Sequence, residues 1–287
     1  MNDKDIKKQY KEKLLKTFEM FNQFCKDNKL IYFLAYGTTL GAVRHGGLIP
    51  WDDDIDVYMP IESYDRFLQL KNNMVIPYRI DDLRDKGYFK CFAKFSDANT
   101  TLVQGSDLPF VYGVFIDVFP FYEGSVDDFK QWNPQLRKYI WKYEMASRIF
   151  TFKDLFKSAT SESFRNFLGK LKYRFVYRLF KAYYYNEYRK IEKKCRMCKG
   201  DYYIYFGASN FGCYPKEWFA TTVEMKFENQ TCRVCGGYHQ YLTQEYGDYM
   251  TPPPLEVQQQ PSHPFWYMNL DRYIPLKEVR KIMKKRT

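Results

Sequence analysis

Apolar residues in the first quarter of the chain change their spacing several times, and each spacing predicts a different element. Residues 4–28 place an apolar side chain at every third or fourth position, which predicts an amphipathic helix. The unbroken apolar run 30–36 predicts a buried strand, and a Gly-Thr turn then leads into a short helix over 38–44. A second strand over 55–59 and a helix over 61–72 complete this stretch.

The pattern along the rest of the chain predicts more strands and then mostly helices. Apolar or alternating runs predict strands over 75–80, 88–96 and 111–119. Later residues have a mainly helical period, with a long stretch near 163–197, a few shorter strands and a helix over 237–246. We therefore predict an α+β fold, with a catalytic core over residues 1–125 and a largely helical portion over residues 126–287 packed on it.

A dense group of carboxylates follows the short helix. Asp54 and Asp56 are separated by one residue, so in an extended strand both side chains point to the same face. Two anions on one face repel each other, and the arrangement needs a cation to be tolerable. Oxygen-only ligands favour Mg²⁺ or Mn²⁺, ions that commonly act on phosphate esters. The pair predicts metal-assisted phosphoryl chemistry, with Asp52 and Asp53 as supporting loop residues.

Asp117 is the best candidate for a third acid. It interrupts an otherwise apolar strand, and a buried carboxylate needs a cation or a hydrogen-bond donor because its burial is costly. Such a residue would complete the metal site or activate an acceptor hydroxyl. The alternative is a structural aspartate that caps or pairs locally.

The Gly-Thr turn before the short helix predicts contacts with phosphate. Gly37 permits a close approach of the backbone, because it has no side chain. Thr38 and Thr39 offer hydroxyls and amides at the N-terminus of a helix, where anions bind.

The charge and the cysteine content narrow the choice of partner and compartment. The 287 residues carry a formal net charge of +11, which suits nucleic acid, an anionic membrane surface or a phosphorylated substrate. The sequence has no apolar signal-peptide core and no stretch apolar enough to span a bilayer, so we expect a cytosolic protein. The odd number of cysteines then favours reduced thiols over a disulfide framework.

Four of the cysteines form two Cys-x-x-Cys pairs, the pattern of a four-thiolate structural zinc site. The pairs are Cys195 with Cys198 and Cys232 with Cys235. The interval between the pairs is longer than is usual for such sites. The alternative is a set of half-buried cysteines that bind no metal.

The long helical stretch carries an apolar stripe flanked by cations. The stripe comprises Phe164, Phe167, Leu168, Leu171, Phe175, Val176, Leu179, Phe180 and Tyr183, and its flanking cations are Arg165, Lys170, Lys172, Arg174, Arg178 and Lys181. A basic, aromatic helix of this kind lies in a membrane interface or, alternatively, packs its stripe on the catalytic core.

The segment from Gly37 to Val57 resembles the signature of the LicD family, which contains bacterial phosphocholine transferases. Weaker similarity to the family extends to four other stretches, 93–101, 116–120, 227–229 and 237–250. The resemblance implies a nucleotidyltransferase-like core, in which a mixed β-sheet is flanked by helices.

The resemblance also implies an activity. It is the metal-dependent transfer of a phosphoalcohol, with phosphocholine favoured, from a CDP-activated donor to a hydroxyl of a surface glycan such as lipopolysaccharide, teichoic acid or a capsule precursor. By this resemblance Asp54, Asp56 and Asp117 bind Mg²⁺ or Mn²⁺ and perform the catalysis. The implied donor contacts, beside Gly37, Thr38 and Thr39, are Arg44, His45, Trp51 and Lys94.

Several of these assignments have simpler alternatives. Lys94 would otherwise be a solvated lysine at a strand edge, His45 a loop residue and Trp51 a packing residue. A rival enzyme is a nucleotidyltransferase that uses an NTP donor. A rival from another class is a basic nucleic-acid-binding protein, although the sequence contains no recognised nucleic-acid module and we expect no such partner. With a lipid-linked acceptor, we expect peripheral contact with the inner face of the membrane.

Overall fold

The computed structural model describes residues 3–74, 77–149, 164–209, 211–258 and 265–286. Residues 75, 76 and 163 of the predicted elements lie outside the described residues, as do the side chains of Phe164, Arg165, Lys170 and Arg174 from the predicted stripe. Within the described ranges, no helix combines the length and the apolarity that crossing a membrane requires.

The first helix confirms the prediction from spacing. Helix α1 spans Asp3–Asp27, close to the predicted residues 4–28. Its apolar stripe is buried in the largest core cluster, and includes Tyr10, Leu14, Phe18, Phe21 and Cys25. The helix ends because Lys29 takes a left-handed φ of 53° and turns the chain toward the first strand.

Helices occur near 38–44, 61–72 and 237–246 as predicted, the long stretch near 163–197 is interrupted, and two helices near the C-terminus were not predicted. The helices after α1 are α2 (Tyr36–His45), α3 (Ile61–Gln69), α4 (Val126–Ser147), α5 (Phe164–Lys172), α6 (Lys181–Met197), α7 (Tyr238–Tyr246), α8 (Leu255–Gln258) and α9 (Leu276–Arg286). A π-helical turn at Tyr173–Tyr177 lies between α5 and α6, and 3₁₀ turns occur at Leu70–Asn73 and Lys216–Phe219.

The strands are distributed along the whole chain. They are β1 (Phe33–Leu34), β2 (Asp56–Pro60), β3 (Tyr78–Asp81), β4 (Ala93–Asp97), β5 (Thr101–Val103), β6 (Phe115–Gly124), β7 (Tyr202–Ile204), β8 (Cys213–Pro215), β9 (Thr222–Phe227), β10 (Gln230–Cys235) and β11 (Tyr267–Asn269).

Strand β6 is the centre of the main sheet, whose order is β1-β2-β6-β4-β3. It pairs in parallel with β2 and antiparallel with β4, so the sheet is mixed, and the α+β prediction is confirmed. Because β6 is ten residues long, its last residues extend beyond β4 and pair antiparallel with β7, which in turn pairs with β8. The residues of β6 are almost all buried.

The portion after residue 125 contributes more strands than its helical periodicity suggests. Strands β7 and β8 extend the main sheet, β11 pairs with β5, and β9 and β10 form a separate hairpin. These strands are short, so their pattern is weak beside that of the long helices. The two parts of the chain thus share one sheet.

Several boundaries in the first part differ from the prediction. The strand predicted over 88–96 begins only at Ala93, and the strand predicted over 111–119 is shifted to Phe115–Gly124. The strand predicted over 30–36 is reduced to the two residues of β1, because Tyr36 takes a positive φ of 45° and begins α2. The short strand β5 was not predicted, since its three residues lie in a polar stretch.

Candidate functional site

Three charged side chains lie in one row across the centre of the main sheet. Asp56 on β2 is directly opposite Asp117 on β6. On the other side of β6, Lys94 on β4 is directly opposite the same Asp117. Directly opposed residues of neighbouring strands point to the same face. The pairing of the strands therefore brings the predicted acids and the predicted lysine together.

Lys94 and Asp117 form a buried ion pair. Lys94 is only 2% exposed, and its Nζ donates a hydrogen bond to Asp117 Oδ1. The ammonium also lies 3.4 Å from the centre of the Phe115 ring, a favourable cation–π contact. Burial lowers the pKa of Lys94, and the Asp117 carboxylate opposes this shift. Lys94 is thus an interior residue of a central strand, and the solvated strand-edge alternative is wrong.

The carboxylates before β2 form a second acidic group. Oxygen atoms of Asp52, Asp53 and Asp54 all lie within 4.8 Å of one another, the single group of three or more metal-ligating side chains found among the described residues. The pKa of Asp56 is raised well above its ordinary value by burial and by the carboxylates of Asp54, Asp117 and Asp52. A bound cation would remove this repulsion.

This arrangement differs in part from the predicted one. Asp54 precedes β2 instead of lying within it, so the alternation of a strand does not set its direction. Asp52 and Asp53, predicted as loop support, are members of the acidic group itself. Asp117 has a cation of this chain as its partner. The oxygen donors suit a hard divalent ion. They come from more carboxylates than the three that the sequence predicted as metal ligands.

Neighbouring elements fix the acidic loop in place. The Tyr10 hydroxyl on α1 donates to the carbonyl of Asp53 over 2.9 Å. A Cβ atom on Gly37 would lie 2.7 Å from Asp52 Oδ2, so a larger residue would displace this carboxylate. Sequence reasoning missed Tyr10 as a residue of the site, because its spacing identifies only the apolar face of the helix.

A cleft of about 430 Å³ begins at the acidic loop. Its walls are Gly37, Leu40, Arg44, Ile49, Trp51, Asp52, Tyr246, Asp248, Tyr249, Thr251 and Pro253. Three predicted donor contacts, Gly37, Arg44 and Trp51, therefore line one cavity together with one of the acids. The far wall comes from the chain around the end of α7, a region predicted as a helix over 237–246 and connected with the site only through the family resemblance of residues 237–250.

The predicted cations of the cleft are positioned by its aromatic residues. Arg44 Nη1 donates to the Tyr249 carbonyl over 2.7 Å, and its guanidinium lies 5.9 Å from the centre of the Trp51 ring. Burial lowers the pKa of Arg44. His45 packs edge-on against Trp51 at 5.9 Å, and burial followed by the charge of Arg44 lowers its pKa. Neutral His45 therefore supports Trp51, and Arg44 is the cation on this wall.

The two threonines of the Gly-Thr turn are buried. The Thr38 hydroxyl accepts a hydrogen bond from the amide of Asp56 over 2.9 Å, so it holds β2 against α2. Thr39 is fully buried, and its hydroxyl has no hydrogen-bond partner among the described residues. Direct contact of both hydroxyls with a donor phosphate stays a prediction. For Thr39, this contact would require its buried hydroxyl to become accessible.

The four cysteines of the two Cys-x-x-Cys pairs do not come together. Cys195 packs beside Tyr122 and Ile204, whereas Cys232 and Cys235 belong to two other core clusters. The structure therefore does not bring together the four thiols of the predicted zinc site. Cys232 and Cys235 are separated from each other because residues three apart on one strand face opposite sides.

Comparisons with known proteins identify the family of this chain. A family model described as LicD/FKTN/FKRP, nucleotidyltransferase domain, matches residues 29–156. The lipopolysaccharide cholinephosphotransferase LicD of Haemophilus influenzae is 31% identical over 260 residues, which are 87% of this chain and 92% of that protein. Mannosyltransferase regulator 4 of Saccharomyces cerevisiae is 32% identical over 112 residues, 39% of this chain and 9% of that protein.

The matched region of the family model contains the acidic loop, Lys94 and Asp117. The similarity to the Haemophilus protein extends over nearly the full length of both chains. On this similarity the chain belongs to the LicD family.

Proposed function

We propose that this protein transfers phosphocholine from a CDP-activated donor to a hydroxyl of lipopolysaccharide or a related surface glycan. The observation that supports it most is the row of Asp56, Asp117 and Lys94 beside the acidic loop and the cleft. The family relationship adds to this, because the similar Haemophilus protein is named a lipopolysaccharide cholinephosphotransferase.

The cleft suits an activated donor. Its volume of about 430 Å³ falls within the range of small-molecule sites. Arg44 supplies a cation for the donor pyrophosphate, and Trp51 a flat surface for the cytosine ring. At the other wall, Tyr246, Tyr249 and the carboxylate of Asp248 suit a quaternary ammonium, which binds to aromatic faces. This combination favours CDP-choline over donors with uncharged alcohols.

The carboxylates fit a divalent metal, Mg²⁺ or Mn²⁺. The residues that would hold it are Asp56 and the loop acids Asp52, Asp53 and Asp54, all oxygen donors with mutual repulsion to relieve. When bound, the metal neutralises the charge of the donor pyrophosphate and of the departing CMP.

Asp117 is the proposed base. The ammonium of Lys94 donates a hydrogen bond to Oδ1 of its carboxylate, and Oδ2 is the proposed acceptor of the proton. The acceptor hydroxyl loses its proton to Asp117 while its oxygen bonds to the β-phosphorus of the donor. The bond between this phosphorus and the CMP oxygen breaks, and CMP leaves with the electron pair.

The test compares donors. Purified protein with Mg²⁺ and lipopolysaccharide is incubated with CDP-choline labelled in the choline, or with NTPs labelled at the α-phosphate. Label transfer from CDP-choline with an equal amount of CMP supports the proposal. Transfer of nucleotide to the acceptor would instead support the rival nucleotidyltransferase, and no transfer from either donor would overturn both.

Peripheral contact with the inner face of the membrane is part of this proposal. Most of the described part of the predicted stripe is exposed, whereas Phe167 and Leu171 are half-buried. Leu179 is 82% exposed, and Phe175 and Phe180 are each 51% exposed. Arg178 and Lys181 lie in the same stretch. Exposed apolar side chains among cations are typical of a surface that binds anionic lipid. Such contact would bring the enzyme to a lipid-linked acceptor.

A further inference from the structure

We propose that a groove between the loop 89–92 and helix α4 binds an anionic sugar of the acceptor glycan. The groove has a volume of about 520 Å³ and is distinct from the donor cleft. This inference rests on the proposed transferase function and adds to it a site for the second substrate.

The charge of the groove is positive. Lys90, Arg137 and Lys138 line it, and Glu144 is its one acidic lining residue. Glu144 is already engaged, because it accepts from Lys90 and from Arg148, each over 3.3 Å. Arg137 and Lys138 are both exposed on α4 and follow each other in the sequence. Two exposed cations at the rim of a groove can contact a phosphate or carboxylate directly.

The groove also offers aromatic surface. Trp141, one turn after Arg137 and Lys138 on α4, is 45% exposed at the groove wall. Its ring is supported edge-on by Tyr177 at 6.1 Å, which fixes its orientation. Sugar rings present apolar C–H faces that pack against aromatic rings. Cations beside an exposed tryptophan therefore match a charged sugar better than a simple anion.

The position of the groove relates it to the proposed base. Phe92 lines the groove, and its ring lies 5.3 Å from Lys94 Nζ, the ammonium that pairs with Asp117. The Phe92 ring also packs against Phe119, two residues after Asp117, with a centre-to-centre distance of 4.5 Å. A glycan held in the groove would thus contact Phe92, the residue that packs against Lys94 of the Lys94–Asp117 pair. Asp52 lines the donor cleft and belongs to the acidic loop beside the row of Asp56, Asp117 and Lys94. The two substrates would therefore approach this row from different cavities.

The experiment uses the O-deacylated core oligosaccharide of lipopolysaccharide as the probe, before and after treatment with phosphatase. Its binding to the full-length protein is measured by calorimetry without donor, and its KM is measured separately from the KM of CDP-choline. The test variant is the double substitution Arg137→Gln with Lys138→Gln. The matched control is Lys226→Gln, which removes an exposed cation from β9. Trp141→Ala tests the aromatic contact.

We expect the double variant to raise the Kd and the KM of the phosphorylated probe about tenfold or more, because charge-assisted contacts are lost. The KM of CDP-choline should stay within about twofold, and Lys226→Gln should resemble the parent. Phosphatase treatment should weaken binding to the parent but not to the double variant. Trp141→Ala should weaken binding of both probe forms.

Three outcomes would overturn the groove assignment. They are unchanged probe binding in the double variant, equal binding of the treated and untreated probes, or tighter binding of a random oligonucleotide at the same residues and salt. The role of the groove can be tested separately from transferase activity, because calorimetry measures binding without turnover. The parent protein could transfer phosphocholine normally while the double variant keeps the KM of the parent for the acceptor. This result would leave the proposed function intact and reject the groove.

Discussion

The hydroxyl of Thr38 at the start of α2 accepts a hydrogen bond from the amide of Asp56 on β2, over 2.9 Å. This contact joins the helix that forms one wall of the cleft to the strand that carries an acid of the site. Because Thr38 is buried, the amide would have no water to replace the lost acceptor.

Replacement of Thr38 by valine should therefore destabilise the protein and the site together. We expect a loss of about 1–3 kcal/mol in the free energy of unfolding, the usual cost of a buried unsatisfied donor. Urea denaturation measures this loss, and kcat measures the displacement of Asp56. Thr38→Ser keeps the oxygen and is the control. A fully stable and active valine variant would contradict this role.

Substitution of Asp56 by asparagine should abolish transfer and leave the fold intact. The change keeps the volume of the side chain and removes a charge that would bind the metal. Because the burial and the neighbouring carboxylates raise the pKa of Asp56, removal of its charge should not destabilise the metal-free protein. Transfer rate and circular dichroism are the measurements. Asp127→Asn, at an exposed aspartate on α4, is the control and should stay active.

Mg²⁺ should raise the melting temperature of the parent protein. At a concentration one hundred times its Kd, a ligand that binds only the folded state contributes about 2.7 kcal/mol. The gain should disappear with EDTA and be much smaller in Asp56→Asn, since a metal ligand is missing. Thermal melts with and without Mg²⁺ measure the effect, and an equal gain in the two proteins would place the metal elsewhere.

The Lys94–Asp117 pair should respond differently to single and double substitution. Lys94→Met leaves an uncompensated buried carboxylate, at a cost of about 3–5 kcal/mol. Lys94→Met combined with Asp117→Asn removes both charges and should regain most of this stability. It should not regain activity, because the loss of a general base reduces the rate by about 10²–10⁴-fold. Denaturation and kcat of the parent and the two variants test the pair, and a double variant as unstable as the single one would contradict it.

Asp82 should make stability sensitive to acid. Its burial alone raises the pKa, but hydrogen bonds from Arg84 and Lys71 outweigh this and lower the pKa below its ordinary value. A carboxyl with a lowered folded-state pKa stabilises the protein above its unfolded pKa of about 3.9, and this contribution is lost as the pH falls through the folded-state value. Asp82→Asn should therefore be less stable than the parent at pH 7, and the difference in the free energy of unfolding should shrink below about pH 4. A difference that is independent of pH would contradict the pairing.

The exposed stripe should govern binding to vesicles. Leu179→Glu with Phe180→Glu should reduce sedimentation with vesicles that contain anionic lipid, because the apolar contact is replaced by repulsion. Leu255→Glu is a control, since Leu255 is 70% exposed on a different helix. Neutral vesicles should bind the parent weakly. Equal binding of parent and double variant would reject this surface.

The sequence predicted the parts of the site that depend on local pattern. Helical spacing located α1, and alternation located β2. The pattern also identified Asp56 and Asp117, two of the three members of the row across the sheet. The partner of Asp117 was harder to predict, because Lys94 meets it only through the antiparallel register of β4 with β6. The same limit applies to Tyr249, which reaches Arg44 from 205 residues away.

The geometry of the strands also explains why the thiols of the predicted zinc site lie apart. Two Cys-x-x-Cys pairs are a local pattern, but a metal site requires four thiols to meet in space. The second pair lies on β10, whose pairing with β9 directs Cys232 and Cys235 into different core clusters. A local motif cannot specify that separation.

The shared strand β6 has a practical consequence for work on the isolated family domain. Residues 29–156, the region that the family model matches, end before β7, and the last residues of β6 would lose their partner strand. This would expose a hydrogen-bonding edge bearing Tyr122, a side chain that is 2% exposed in the intact protein. Such an edge invites pairing between molecules, so a fragment cut at the domain boundary should aggregate. Residues that follow the matched region thus supply the strand that covers this edge of the sheet.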